Sequence, residues 1–342
     1  MLEIITLDQK ERWNAIVRSM TNFDFYHLAE YHQLELSGQS LLLSFSVNNT
    51  SIAFPVILRP VEKTSYYDIT SVYGYAGPLT NLDNPDEESL KYFRKDLLVF
   101  FDNYNIISAF SRLHPFFSNQ ETILSGLGEV ITTNQTVGID LSLPEQEQKK
   151  QYAYSLKYQI NRLKSKNIIV KKAKTVEEID QFIEIYRENM KRVNASEMYF
   201  FTNDYFYHLI KKLPFTLLLA YYEGRAICGS LFSSCNGIVQ LHLSATLNDF
   251  LIWSPSKLVL DCIRRHAIEN NERWLHLGGG SGGEDDSLFQ YKSFFSNLRF
   301  TFKTWRYIHN AKTYNQLISE KFSKNVPNSP FFPLYRLGNE KN

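Results

Sequence analysis

The sequence predicts a mixed α/β protein built from two similar units in tandem, and three observations predict it. Its 342 residues exceed one ordinary domain and suit two. The tetrapeptide FYHL occurs at 25–28 and again at 206–209, and each copy is followed after a gap by LLL, at 41–43 and 217–219. Each triplet then opens a stretch that reads as a β-hairpin, and the second continues as strand, helix and strand.

The first hairpin covers 41–58 and turns at Asn48-Asn49; the second covers 217–234 and turns at Glu223-Gly224. β-Branched and aromatic residues flank both turns. IVQLHLSATL at 238–247 is the next strand, and 254–271 the crossover helix. Ser254 is expected as its N-cap, with Pro255 in the first turn and Leu258, Cys262, Ile263 and Ala267 on one face. RWLHL at 273–277 is the strand that follows. Between the units, residues 148–174 carry nine Lys or Arg, and no acid occurs from 148 to 176. Leu156, Ile160 and Leu163 predict a helix in its first part. The run is either a solvated helix face or a local anion site, with Arg162 and Lys164 as the inward members. The proline-rich end, 326–342, predicts an irregular tail over the surface. The expected organisation is an N-terminal domain at 1–147, a C-terminal domain at 148–310, and a helix with tail at 311–342 packing back on the body.

Composition excludes several functions. With 44% hydrophobic residues, 25 Phe and 21 Tyr, there is material for two packed cores. A net charge of +1 provides no global field for nucleic acid or membrane lipid, so an anionic partner must be met locally. Cys228, Cys235 and Cys262 form no C-x-x-C pair and stand near no His at metal spacing, so no metal site is expected. The N-terminus lacks a signal peptide pattern, and no apolar run approaches the roughly 18 residues that span a bilayer. A cytoplasmic protein is expected.

HLGGGSGGEDDSLFQYKSFF, 276–295, poses the sharpest question. Gly278, Gly280 and Gly283 satisfy G-x-G-x-x-G after a strand, as in a dinucleotide fold. Two features exclude that reading. Only some 60 residues remain in the chain, and the next strand holds no acid for a ribose. Glu284, Asp285 and Asp286 also stand where a pyrophosphate would bind.

The same segment resembles the Fem-type aminoacyltransferases and their GNAT-fold relatives, in which a glycine-rich strand end precedes an F/Y-K-x-x-F helix; Tyr291, Lys292 and Phe295 match that element. SVYGYAGPLTN at 71–81 is similar to the family's Y-G-Y-x-G-P-L signature, FSRLHPFFSN at 110–119 to its R-x-H-P segment, and TVGIDLS at 136–142, before the basic helix, to its T-V-x-I-D-L strand. The hairpin, strand, crossover helix and strand order is likewise that of GNAT acyltransferases. The resemblance implies two tandem GNAT-like acyltransferase domains with mixed sheets sharing a cleft. It also implies amide formation on a cell-envelope precursor, a peptidoglycan stem peptide or a surface-polysaccharide amino sugar. Two departures stand out. The long helical hairpin that contacts tRNA in some members has no counterpart, and residues 247–256, where a coenzyme A loop would lie, contain no glycine. No tightly bound cofactor is expected, and the donor is aminoacyl-tRNA or an acyl-thioester. A thioester-dependent N-acyltransferase of nucleotide-linked amino sugars and a catalytically silent binder of glycan precursors are the alternatives. Peripheral contact with a lipid-linked precursor is compatible with each.

Aminolysis of an ester needs alignment, a proton acceptor and a partner for the oxyanion. By its family match Lys292 would hold a carbonyl or phosphate oxygen, and an exposed surface lysine is the plain alternative. Asp285 or Asp286 would take the amine proton, though N-capping explains one of them. Tyr73, Gly74, Tyr75 and Gly77 would shape the acceptor site, and Arg112 would clamp a phosphate. His242 and Ser244, alternating with leucines on one strand, would line the cleft or form a satisfied core network. His114, before Pro115, reads as a turn residue.

Overall fold

The computed structural model describes residues 2–280, 286–323 and 325–338. By its internal contacts the chain forms two compact units, residues 1–133 with 301–342 and residues 134–300.

In the first unit the strands are β1 (Leu2–Thr6), β2 (Gln39–Val47), β3 (Thr50–Pro60), β4 (Tyr67–Thr70), β5 (Leu79–Thr80) and β6 (Ile106–Arg112). The β2–β3 hairpin closes from Val47↔Thr50 over Asn48, which takes φ 50°, a left-handed conformation that asparagine tolerates. β4 pairs antiparallel with β3 and parallel with β6. The helices are α1 (Lys10–Arg18), α2 (Ala29–His32), α3 (Glu87–Asn103) and α4 (Asn119–Leu124). α3 is the crossover between the parallel strands. Asp86 caps it by accepting from Ser89 N at 2.8 Å, and Leu90, Phe93, Leu97 and Phe101 recur at helical spacing on its buried face. They meet Phe45, Phe54, Ile69 and Trp305 in one core.

The chain enters the second unit along β7 (Glu129–Asp140) and continues through α5 (Glu145–Lys150), α6 (Tyr154–Ser165), β8 (Ile169–Lys172), α7 (Val176–Arg192), α8 (Asn203–Lys212), β9 (Phe215–Tyr222), β10 (Arg225–Cys235), β11 (Ile238–Thr246), α9 (Ser256–Glu269), β12 (Trp274–Gly278) and α10 (Ser287–Ser293). The β9–β10 hairpin turns on Glu223 and Gly224, with φ of 48° and 81°, as a two-residue turn of right-handed strands requires. β11 pairs antiparallel with β10 and parallel with β12, and α9 crosses between them. Leu156, Ile160 and Leu163 of α6 pack with Ile227, Val239, Ile263 and Leu275, as their spacing predicted.

The chain returns along β13 (Arg299–Ile308), which pairs with β6 from Thr304↔Arg112 to Ile308↔Ser108, and ends in α11 (Ala311–Phe322) and the tail. Strand order is β1-β2-β3-β4-β6-β13 in one unit and β8-β9-β10-β11-β12-β7 in the other. The two are the same arrangement: hairpin, antiparallel strand, crossover helix, parallel strand, antiparallel strand. The strand completing each unit is supplied across the boundary, so the chain divides at 133/134 and 300/301. The sequence placed these divisions at 147/148 and 310/311, because strand partnership is not local. The tail follows β13 into the first unit. Tyr335 packs with Val61, Ile107 and Tyr314, and the buried Asp68 carboxylate accepts from Arg336 Nε at 2.5 Å, Arg59 Nε at 2.8 Å and Tyr335 OH at 2.8 Å.

Two local expectations are corrected. The repeated FYHL does not form the same element twice: at 25–27 it is a 3₁₀ turn and at 206–209 it lies inside α8. Ser254 does not cap α9 with its side chain. It is left-handed at φ 53°, its hydroxyl donates to Leu251 O, and Pro255 holds the N-cap position.

Candidate functional site

In the second unit, β11 and β12 pair at only three positions, Ile238↔Trp274, Val239↔Leu275 and Gln240↔His276. β11 then runs on to Thr246 against β10 alone, and the register slips by one residue at His242. Two parallel strands that stop pairing leave a wedge between their C-terminal ends. His276 Nδ1 stands 2.6 Å from Gln240 Oε1 at its closed end, both side chains buried.

Gly278, at φ 76°, ends β12 at the mouth of this wedge. Asp286 caps α10, accepting from Phe289 N at 2.9 Å. Along α10, Phe289 is buried, and the Tyr291 and Phe295 rings lie 5.9 Å apart, with Phe295 packed 5.5 Å from Tyr152. The aromatic members of Y-K-x-x-F are therefore core anchors that fix the helix. Lys292, between them, is partly buried and donates from Nζ to Gly279 O at 2.5 Å. Loss of water holds its ammonium down to about 8, against the opposing pull of Asp286. Gly283, Glu284 and Asp285 lie outside the described residues.

His242 accepts from or donates to Tyr205 OH at 2.7 Å, packs 5.3 Å from Phe215, and is pushed down to about 3 by burial. Ser244 is exposed and shares a 2.8 Å hydrogen bond with Ser230 Oγ. The bulge breaks the alternation on which their pairing rested, and the two find separate partners. Arg162 and Lys164 are both exposed on α6. Arg162 lines a pocket of about 100 Å³ with Gln159, Lys166, Ile252, Trp253 and Ser254, and Lys164 is not among the lining residues. Lys166 contributes its ammonium 4.2 Å from the Trp253 ring centre, a neighbour that its place in the charge run did not reveal.

In the first unit, Tyr73 is exposed and its carbonyl accepts from Tyr31 OH at 2.9 Å. Gly74 takes φ 122°, and a Cβ there would lie 2.0 Å from the Tyr26 ring. Tyr75 packs edge-on against Tyr26 and Phe302, with ring centres at 5.9 and 5.2 Å. Gly77 takes φ 100° against the Gln120 amide, which bridges Ala76 O and His114 N. The space these glycines leave is filled by protein. Arg112 lays its guanidinium 5.2 Å from the Phe110 ring centre, and its N–H donates to Ser71 Oγ.

The sequence reading missed a buried titratable cluster. Asp24, His27, His32 and His114 are all at most 3% exposed. Burial raises the Asp24 carboxyl to about 7 and lowers His27 to about 4 and His32 and His114 to about 3. The only signal available was a pair of acid and histidine at 24 and 27, a spacing shared by many 3₁₀ turns. Among the described residues no group of three or more His, Cys, Asp or Glu could hold a metal ion.

Residues 150–293 match the family model described as acetyltransferase (GNAT) domain. They span most of the second unit. The fold over the whole chain is similar to that of FemX, with a TM-score of 0.72 at 12% identity, covering 92% of this chain and 99% of that one. L-PGS from Bacillus licheniformis follows at 0.58 and 12%, covering 88% and 92%. The C-terminal domain of a putative lysylphosphatidylglycerol synthetase from Agrobacterium fabrum aligns at 0.57 and 13%, covering 87% and 91%. No curated protein matches the sequence. The second unit thus carries an acetyltransferase (GNAT) domain, the first repeats its strand arrangement, and the fold over the whole chain is similar to that of FemX.

Proposed function

We propose that the chain is an acyl- or aminoacyltransferase that forms an amide on an amine of a cell-envelope precursor, a peptidoglycan stem peptide or a surface-polysaccharide amino sugar. The observation that carries this is the Lys292 ammonium, held beside Gly279 at the mouth of the β11–β12 wedge within an acetyltransferase-type domain. An ammonium has three hydrogens, and Gly279 O takes one. In this reading another meets the oxygen of a donor carbonyl. The acceptor nitrogen attacks that carbon, the C–N bond forms, and the oxyanion is met by Lys292. The ester or thioester bond then breaks and its oxygen or sulfur leaves with a proton. Asp286, the described carboxylate nearest this lysine along the chain, receives the proton lost by the amine and returns it to the departing oxygen or sulfur. Arg162 of the second unit contributes to substrate binding in this reading. A cytoplasmic reaction suits activated donors of either kind.

The donor is aminoacyl-tRNA or an acyl-thioester. Mass spectrometry of nucleotide-linked and lipid-linked precursors incubated with each donor tests the proposal. An amide product made by the native chain and lost in Lys292→Ala supports it. No product from any donor, with the protein folded, sinks it.

A further inference from the structure

Three of the most exposed apolar side chains in the second unit lie in one strip. Tyr154 is 93% exposed, Tyr158 68% and Ile252 87%. Tyr154 and Tyr158 are one turn apart on the outer face of α6, and Arg162 follows one turn later. Arg162 and Lys166 share the walls of the pocket with Ile252, which stands on the 3₁₀ segment Asn248–Trp253 after β11. At the other end of the strip, Phe294 O accepts from Ala153 N, and the half-exposed Phe294 ring faces the Lys257 ammonium at 5.2 Å. The charged border is Lys157, Arg162, Lys164 and Lys166; the exposed Asp249 is the acid nearest Ile252 in the chain.

Apolar groups gathered in water beside four cations, which outnumber the acids Asp249 and Glu188 at the 3₁₀ segment, mark an interaction surface. We propose that this strip seats the second unit on an anionic lipid surface. Ile252, Tyr154 and Tyr158 enter the headgroup boundary, and Arg162, Lys166 and Lys157 meet lipid phosphates. A single-stranded nucleic acid would use the tyrosines equally, since bases stack on rings. It has no use for Ile252 at the end of the strip opposite Phe294, whereas a bilayer boundary takes aliphatic and aromatic groups alike. The orientation also has meaning for the site. β11 and β12 are parallel, so the 3₁₀ segment after one and Gly279 after the other stand at the same edge of the sheet. Seating by Ile252 turns the edge that carries Lys292 toward the headgroups. There the inference adds to the transferase reading by making the acceptor lipid-borne; the surface itself does not depend on that reading.

Co-sedimentation of the full chain with phosphatidylcholine vesicles, with and without phosphatidylglycerol, tests it. The native chain pellets with the anionic vesicles only, and less so as salt rises. Ile252→Ser with Tyr158→Ser lowers the partition coefficient about tenfold or more. Arg162→Gln with Lys166→Gln lowers it too and flattens the salt dependence. Ile252 and Tyr158 are exposed, so an unchanged melting curve is expected for that double variant; Lys166 packs on Trp253, so the other is compared at a temperature where its melting curve shows it folded. A native chain that stays in the supernatant, or an Ile252/Tyr158 variant that pellets like the native chain, overturns the proposal. Retention of bulk tRNA without retention of vesicles overturns it in favour of nucleic acid. Neither donor nor acceptor is present, so a chain that binds vesicles and makes no amide fails only the transferase reading.

Discussion

His114 Nε2 lies 3.2 Å from Asp24 Oδ2, with neither side chain exposed. Phe116 N donates to His114 Nδ1, which fixes that nitrogen as the acceptor and leaves Nε2–H to donate to the carboxyl. Asp24 Oδ1 accepts from Phe25 N at 2.6 Å. The pair ties the 24–27 turn to the segment after β6, and its energetics depend on pH.

The histidines set the direction of that dependence. His27, His32 and His114 have folded pKa values of about 4, 3 and 3, below the ordinary 6.5, so between about pH 4 and 6.5 the unfolded chain binds protons that the fold refuses. Stability therefore falls on acidification through that window. Asp24, raised from 3.8 to about 7, acts in the opposite sense, since the fold takes up its proton first and gains as pH falls from 7 to 3.8. With His242 of the second unit, also held down to about 3, four histidines outweigh one carboxyl, so the net slope is positive. At roughly 1.4 kcal/mol per proton per pH unit, a step from pH 6 to 5 costs about 2 kcal/mol or more. Urea midpoints across this range test it. His114→Gln gives a shallower slope, and a flat native profile refutes the argument.

Gly74→Ala and Gly77→Ala each place a Cβ into occupied space at a left-handed backbone, 2.0 Å from the Tyr26 ring and 2.6 Å from Gln120 Nε2. Each is expected to cost about 2–4 kcal/mol. Chemical denaturation measures this. A loss below about 0.5 kcal/mol would mean that the turn relaxes.

The sequence revealed what local chemistry determines. Asn48 and Gly224 mark turns because few other residues take positive φ readily, and Leu156, Ile160 and Leu163 mark a helix by spacing alone. The duplicated order of strands was legible through the two hairpins, although FYHL, which first drew attention to it, takes different conformations in its two copies. The exchange of β7 and β13 was not legible, because nothing within a strand states which unit will pair with it. Likewise Asp24, His32 and His114 are far apart in sequence and meet only through packing. At the site, Y-K-x-x-F was visible, but the division of its residues into two anchors and one inward lysine needed the helix in place.

Lys292 ties stability and activity to pH in opposite ways. A solvent-accessible lysine would leave stability nearly unchanged on removal; with its charge-assisted bond to Gly279 O, Lys292→Ala is expected to cost about 1–2 kcal/mol. Its folded pKa is depressed from 10.5 to about 8, so between these values the unfolded chain holds the extra proton and stability rises with pH. An ammonium stabilises an oxyanion more than the neutral amine does, so turnover falls as pH rises through about 8. Lys292→Ala loses about 100-fold in rate together with this limb of the profile. Single-turnover rates beside melting curves decide it; a variant that keeps its rate defeats the assignment.

The donor is decided at the segment between β11 and α9. In a nest for a pyrophosphate, consecutive N–H groups converge on empty space. Here they are already committed: Asn248 N donates to Glu188 Oε1 at 2.7 Å, Phe250 N to Leu247 O at 3.0 Å and Ser254 N to Leu251 O at 3.0 Å. A phosphate at this turn would displace these bonds and approach the Glu188 carboxylate. Acetyl-CoA is therefore expected to bind no more tightly than about millimolar, near −4 kcal/mol. An aminoacyl-tRNA touches protein through several phosphates, so its retention falls steeply with salt, by about tenfold or more between 50 and 200 mM. Calorimetry with acetyl-CoA and filter binding of charged tRNA over a salt series separate the two. Micromolar acetyl-CoA affinity without tRNA retention promotes the thioester donor, with Arg162 and Lys166 supplying the phosphate contacts that the backbone withholds. In that event Arg162→Gln weakens acetyl-CoA binding, and an unchanged affinity would remove those two cations from the donor site.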